Sequence, residues 1–511
     1  MVKYIKNEGR LQEFGYLWLL LLFFCFFILC ATDFIDKFFS VRYNVFKGTV
    51  ALLIKIIESW IRMTKRLLSI VLLISLVFSF AACGGEQSAV VDATKDIWLI
   101  DEENKLSEFD SPYTAGYQNE DGTFTLYIFS APVQYKVGNK KYSPIDNSLV
   151  TSEKKDYAFE NKANSVKVYF PKELSGEFLV KRGFESVSFK LKETESLQGE
   201  KLEYINMYGD TVQAVSYKDA HVDYVFYPTN AGIKMEFVLK DNTASDKYEM
   251  DFDFSQKNIS SEINKKYVTF VKKDKVKSIF YPSLNMDNNG TLTPNIIDCK
   301  ENTVVLTAEH KSEYPIKVDA SFELYENKLP DSTVNSNNEP NSYLSNYFWT
   351  TNDSSNGMTR QYTRLRINYF FKTNAENIKS ASFNIKALDK LNKENIHDRN
   401  VVLQNVCSQW SSTKLSWEEQ GMRYDTISEN PAQGMNGYCL FEITNFMKEC
   451  VSDINSMSES WGLAILDEDE NTTPTFFASS DNTLYPTYIK IEMKSLPDEF
   501  YLKDNINDIA Y

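Results

Sequence analysis

Histidine is scarce: His221, His310 and His397 are the only three in 511 residues, and none has a second His or a Cys at metal-ligand spacing. HExxH, GxSxG and phosphate-loop signatures are missing as well, so no motif-borne metal, hydrolase or nucleotide chemistry can be placed. His397, within His397-Asp398-Arg399, reads as a surface-loop residue. Basic charge is also short. Against 70 acidic side chains stand 55 Lys and Arg, a formal net charge of −15, which argues against a partner that is a nucleic acid. Seven Cys are too few for a disulfide-dense miniprotein. Long amphipathic helical patterns are lacking.

What is present is unevenly distributed. Residues 1–82 carry ten basic and five acidic side chains, which leaves the remaining 429 residues at −20. Such a body is not expected to lie flat on anionic lipid. Met63-Thr64-Lys65-Arg66, the apolar run Leu67 to Phe80 and Ala81-Ala82-Cys83 form a basic n-region, an h-region and a small-residue cleavage site. Cys83 behind Ala-Ala resembles a bacterial lipobox, which implies lipidation at Cys83 and a protein held on the extracellular face of a bacterial membrane. A second apolar run, Phe14 to Thr32, is long enough to span a bilayer. Residues 1–62 therefore read as upstream translation before an internal start at Met63, or else as an extra membrane segment. Residues 63–82 are the signal peptide and 83–96 a small, polar tether.

From residue 97 to 326 the chain alternates apolar and polar residues with period two. Val166-Val168-Phe170, Val187-Phe189-Leu191, Ile233-Met235-Phe237-Leu239 and Tyr248-Met250-Phe252-Phe254 each predict a strand with one buried and one wet face. Turn signals at 119–122, 208–210, 230–232 and 287–290 separate them. The last of these mimics the start of an EF-hand loop, but Ile296 occupies the position where a bidentate Glu is needed, so it predicts a hairpin. Residues 327–342, with Pro330, Pro340 and almost nothing apolar, are expected to be a linker. A second β-rich domain follows at 343–495, with one or two helical turns at 445–451, and 496–511 is a polar tail. The fold class expected is all-β, in two β-rich domains.

Within the second domain, Thr363-Arg364-Leu365-Arg366-Ile367, Ile378-Lys379-Ser380-Ala381-Ser382-Phe383-Asn384-Ile385 and Trp410-Ser411-Ser412-Thr413-Lys414-Leu415-Ser416-Trp417 occur in order. Trp461-Gly462-Leu463-Ala464-Ile465 and Pro486-Thr487-Tyr488-Ile489-Lys490-Ile491 complete the series. This region resembles the DNRLRE family, which implies a jelly-roll-like β-sandwich and carbohydrate binding. Tyr142-Ser143-Pro144-Ile145-Asp146-Asn147-Ser148-Leu149 and Gly232-Ile233-Lys234-Met235-Glu236-Phe237-Val238-Leu239 make the first domain similar to the N-terminal region of wall-associated RHS-repeat proteins. The function expected is non-catalytic binding of cell-wall or environmental polysaccharide. The alternatives are an adhesin-like scaffold with a protein partner and, third, a polysaccharide-degrading enzyme, since two suitably spaced carboxylates need no motif.

Sugar stacking calls for exposed aromatic faces. Trp410 and Trp417 belong to the corner motif and are expected in the core, which leaves Trp349 and Tyr347, with Arg364 at the family's basic position, as ligand-binding candidates. No cofactor is expected beyond a structural calcium ion, for which the acidic turn supplies Asp467 and Asp469. Cys299, Cys407, Cys439 and Cys450 are read as thiols.

Overall fold

In a computed structural model the chain divides into two compact units, Met1–Gln87 and Ser88–Tyr511. The residues described are 104–500, except 140, 265–266, 310–312, 325–330, 338–344, 354–356, 365–370, 393–395, 397–398, 421–422, 435–436 and 453–461. Residues 1–62, the signal peptide, Cys83 and the tether, along with His310, His397, Trp461 and most of the tail, lie outside them.

The described residues are all-β, built from antiparallel sheets. The four alternating segments singled out above are strands Val166–Pro171, Glu185–Leu191, Gly232–Leu239 and Lys247–Phe254. They belong to a 16-stranded sheet that folds back on itself, so that Phe178 of one half meets Phe226 of the other at 4.3 Å and Phe189 faces Phe322. Aromatic and β-branched side chains from both inner faces fill one continuous core. Asp287 closes the hairpin expected at 287–290, its Oδ1 accepting from the Asn289 and Thr291 amides.

A six-stranded and a seven-stranded sheet pack over a second core that contains Ile128, Phe348, Phe383, Leu403, Ile465 and Ile489. The helix Thr444–Ser452 covers one end and buries Met447 and Cys450. Three segments depart from the expected boundaries. Strands Thr114–Gln118 and Phe124–Phe129 join this sandwich, the second pairing with Tyr488–Met493, although they lie within 97–326. Inside the expected linker, Asp331–Asn335 is a strand paired with Gly357–Thr363. It is buried although only Val334 is apolar, and two of its polar side chains are met there: Thr333 donates to Gln361, and Asp331 accepts from the amide and hydroxyl of Ser480. In the tail, Glu499–Phe500 pairs with Phe371–Lys372.

The largest departure concerns the wet faces. On Gly232–Leu239 the polar side chains Lys234 and Glu236 are 3% and 0% exposed, because the sandwich packs on that face of the long sheet. Met207, Tyr208, Val225 and Tyr227 from the sheet meet Leu388, Leu391, Phe476, Leu484 and Tyr485 from the sandwich in a shared cluster. Lys234 Nζ lies 2.7 Å from Asp319 and 3.0 Å from the Tyr208 hydroxyl. Glu236 accepts from the Tyr204 and Tyr227 hydroxyls and the Met207 amide. Two further bonds cross to the sandwich, Thr483 to Glu323 and Asn206 to Tyr485. Burial alone would lower the Lys234 pKa, but Asp319 and Tyr208 outweigh it and hold it above the ordinary lysine value. Burial, with Glu236 beside them, lifts the Tyr204 and Tyr227 hydroxyls well above the ordinary phenol value.

Breaking this layer strands a buried charge. Lys234→Ala is expected to cost about 3–5 kcal/mol, whereas Lys234→Met combined with Asp319→Leu recovers most of that loss. A double-mutant cycle by urea unfolding checks this; losses that simply add would contradict it.

Candidate functional site

The outer face of the seven-stranded sheet is covered at two places. Strand Tyr347–Asp353 places Tyr347 and Trp349 against Phe476, with ring centroids at 6.2 Å from each, at the edge of the cluster shared with the long sheet. Both candidates are half-buried, and Tyr347's hydroxyl end lies deep enough that burial raises its pKa. At the other place, loop 407–420 folds over the sheet and buries Trp410 and Leu415 with Tyr362, Val334 and Ala464, and Trp417 packs beside them. Arg364, the basic candidate, is 7% exposed. It donates to the Trp410 carbonyl and lies over that indole, so it braces the corner rather than facing a rim.

Between these two covers the sheet carries an open depression of about 400 Å³, within the range of small-ligand sites. Strand Gly357–Thr363 supplies Met358, Thr359 and Arg360; Thr351 and Asn352, Gln404, Leu466, Glu468 and the acidic candidate Asp467 come from its neighbours. Period two explains the geometry. Arg360, Tyr362 and Arg364 fall on one face of the strand, and the corner covers the last two but leaves Arg360 half-exposed.

Local contacts fix the polar groups. The Arg360 guanidinium lies 4.3 Å from the Trp417 ring centroid and donates to Gln420 at 2.7 Å. Asn352 donates to the Glu468 carbonyl at 2.7 Å, tying the acidic turn to the sheet, and Gln404 donates to the Thr426 hydroxyl. Met358 and Leu466 contribute the apolar surface. The lining contains no His or Cys. Amide, guanidinium, hydroxyl and carboxylate groups beside apolar side chains can bind a hydroxyl-rich ligand.

The two acidic candidates separate. Asp467 ends strand Leu463–Asp467 and is 4% exposed; its carboxylate pairs with Arg399 at 3.1 Å and accepts from Thr350. Asp469 is exposed in the turn beyond. One lies inside and the other outside, so the pair does not form a shared cation cage, and among the described residues no group of three or more His, Cys, Asp or Glu is arranged to hold a metal ion. His221 is exposed, with Nδ1 3.0 Å from Asp241. The four cysteines are free thiols; Cys439 and Cys450 are buried, which pushes each pKa up to about 12.

Burial raises the Asp467 pKa above the ordinary carboxylate value, against the opposing pull of Arg399, Thr350 and Thr475. A carboxyl with a raised folded-state pKa contributes stability below its unfolded pKa and loses it as the pH rises through the folded value. Arg399→Ala removes the main opposing cation and raises the pKa further. Urea unfolding is expected to give a small loss near pH 4 that grows to about 3–5 kcal/mol at pH 7; a loss independent of pH would contradict this. No family model matches the chain and no curated protein matches it, so what this site binds must be read from its own side chains.

Proposed function

We propose that this protein is a non-catalytic surface lipoprotein, anchored through Cys83, that binds cell-wall or environmental polysaccharide at the depression on its C-terminal sandwich. The observation that carries the reading is the combination at that depression: Arg360, Asn352 and Gln404 positioned as planar polar groups, beside the apolar surface of Met358 and Leu466. Sugar rings present both kinds of surface, hydroxyls around the edge and C–H groups on the faces. The arrangement also fits the resemblance of residues 343–495 to the DNRLRE family. The site belongs to Arg360 and Gln404 rather than to Trp349, whose ring is half-buried at the shared cluster.

A glycan array probed with the unit 88–511, followed by calorimetric titration of the best glycan, tests the proposal. Arg360→Ala and Gln404→Ala are each expected to weaken binding roughly tenfold, since each removes hydrogen bonds worth about 1–2 kcal/mol, with little change in melting temperature. Failure to bind any wall or environmental polysaccharide would overturn the reading in favour of a protein-binding scaffold. For the anchor, the expected outcome is that Cys83→Ala abolishes incorporation of labelled fatty acid into the protein, checked by metabolic labelling of expressing cells; unchanged labelling would contradict lipidation at Cys83.

A further inference from the structure

The long sheet ends in three turns that are tied together. The first, Arg182-Gly183-Phe184-Glu185, joins strands Phe178–Arg182 and Glu185–Leu191, with Gly183 at φ +56°. The second, 255–258, follows Lys247–Phe254, and Ser255 exchanges bonds with Ser186. The third is a two-residue hairpin turn in which Lys273 and Asp274 both have positive φ. Gln256 donates to Glu185 at 2.6 Å and accepts from Lys272, and Lys277 lies 3.5 Å from the same Glu185 oxygen. The three turns therefore present a single surface.

That surface is basic in an acidic body. Across Lys181–Ser186, Ser255–Asn258 and Val271–Lys277 there are seven Lys and Arg against two carboxylates, Glu185 and Asp274. Glu185 is already engaged by Arg182 and Lys277. Further carboxylates lie beyond it: Asp253 and Glu262 sit back along their strands, opposite Ser188 and Thr269, and Glu301 occupies the neighbouring turn, its carbonyl accepting from Ser261. Lys181, Lys257, Lys273 and Lys275 are all exposed. In their midst Phe184 is fully exposed, the most exposed large hydrophobic side chain among the described residues.

We infer that this end of the long sheet docks on an anionic lipid bilayer, with Phe184 entering the interface and the surrounding lysines meeting lipid headgroups. An aromatic side chain flanked by cations gains on both counts at such a surface, from apolar burial and from attraction to the negative leaflet. An anionic polymer would use the lysines but leave the Phe184 ring in water, which is why the bilayer is the occupant favoured. The inference rests on these turns and is independent of the lipid anchor and of the glycan site.

Co-sedimentation of the unit 88–511, whose hydrophobic clusters all close within it, tests this without the N-terminal apolar segments. Binding is expected to phosphatidylcholine vesicles containing phosphatidylglycerol and not to pure phosphatidylcholine, and is expected to fall at high salt. At roughly fivefold per lysine near a charged surface, the triple variant Lys181→Glu, Lys273→Glu, Lys275→Glu should lose at least about 100-fold. Phe184→Ser should lose about tenfold, from partial loss of the burial of one large apolar side chain. All four side chains are exposed, and unchanged melting curves verify that the variants fold. Equal binding to both vesicle types, binding to neither, or unchanged vesicle binding by Phe184→Ser with full competition by soluble polyphosphate would overturn the inference.

Discussion

The buried polar layer around Lys234, Asp319 and Glu236 is the constraint on which the arrangement of the body depends. Charges enclosed between two sheets are tolerated only when each is met by a partner in good geometry, and here Lys234, Asp319 and Glu236 are met from within the long sheet while the sandwich bonds Glu323 and Asn206 beside them. Tyr204, Tyr208 and Tyr227 belong to the long sheet, while Thr483 and Tyr485 reach in from the sandwich. Such groups cannot be rehydrated one at a time without leaving another unpaired. The apolar cluster of Leu388, Phe476 and Leu484 around them supplies burial, and the polar layer supplies register.

Fixing the two halves in this way determines which surfaces remain for function. The seven-stranded sheet has one side of its outer face covered by the long sheet and another by the Trp410 corner, and the depression at Arg360 is what lies between. At a distal end of the long sheet, the turns around Phe184 stay open to solvent with their lysines. A polar depression and a basic aromatic tip thus sit on one scaffold with opposite local character. The net charge of the body, which argues against contact with anionic lipid, averages over this difference.

Much of the architecture was legible. Period-two alternation located the strands of the long sheet, and the turn residues located its hairpins, because both signals depend on neighbours in sequence. The wet face of Gly232–Leu239 was misjudged for a physical reason: Lys and Glu at alternate positions look the same whether they meet water or partners from another sheet. The strand Asp331–Asn335 was hidden because it buries hydroxyls and a carboxylate in place of apolar groups. The pairing of Phe124–Phe129 with Tyr488–Met493 joins residues more than three hundred positions apart, and nothing local records it. For the depression, the search for an exposed indole points to Trp349, which is half-buried, whereas Arg360 is legible only through its two-residue spacing from Tyr362 and Arg364, which places all three on one face.

The most direct measurement is scanning calorimetry of the unit 88–511 combined with native-state amide exchange across Gly232–Leu239. If the buried Lys234–Asp319 layer fuses the long sheet and the sandwich, unfolding proceeds in a single transition and these amides exchange only through global opening. Two resolved transitions, with Gly232–Leu239 exchanging in the first while the sandwich around Phe383 and Ile489 stays protected, would contradict it.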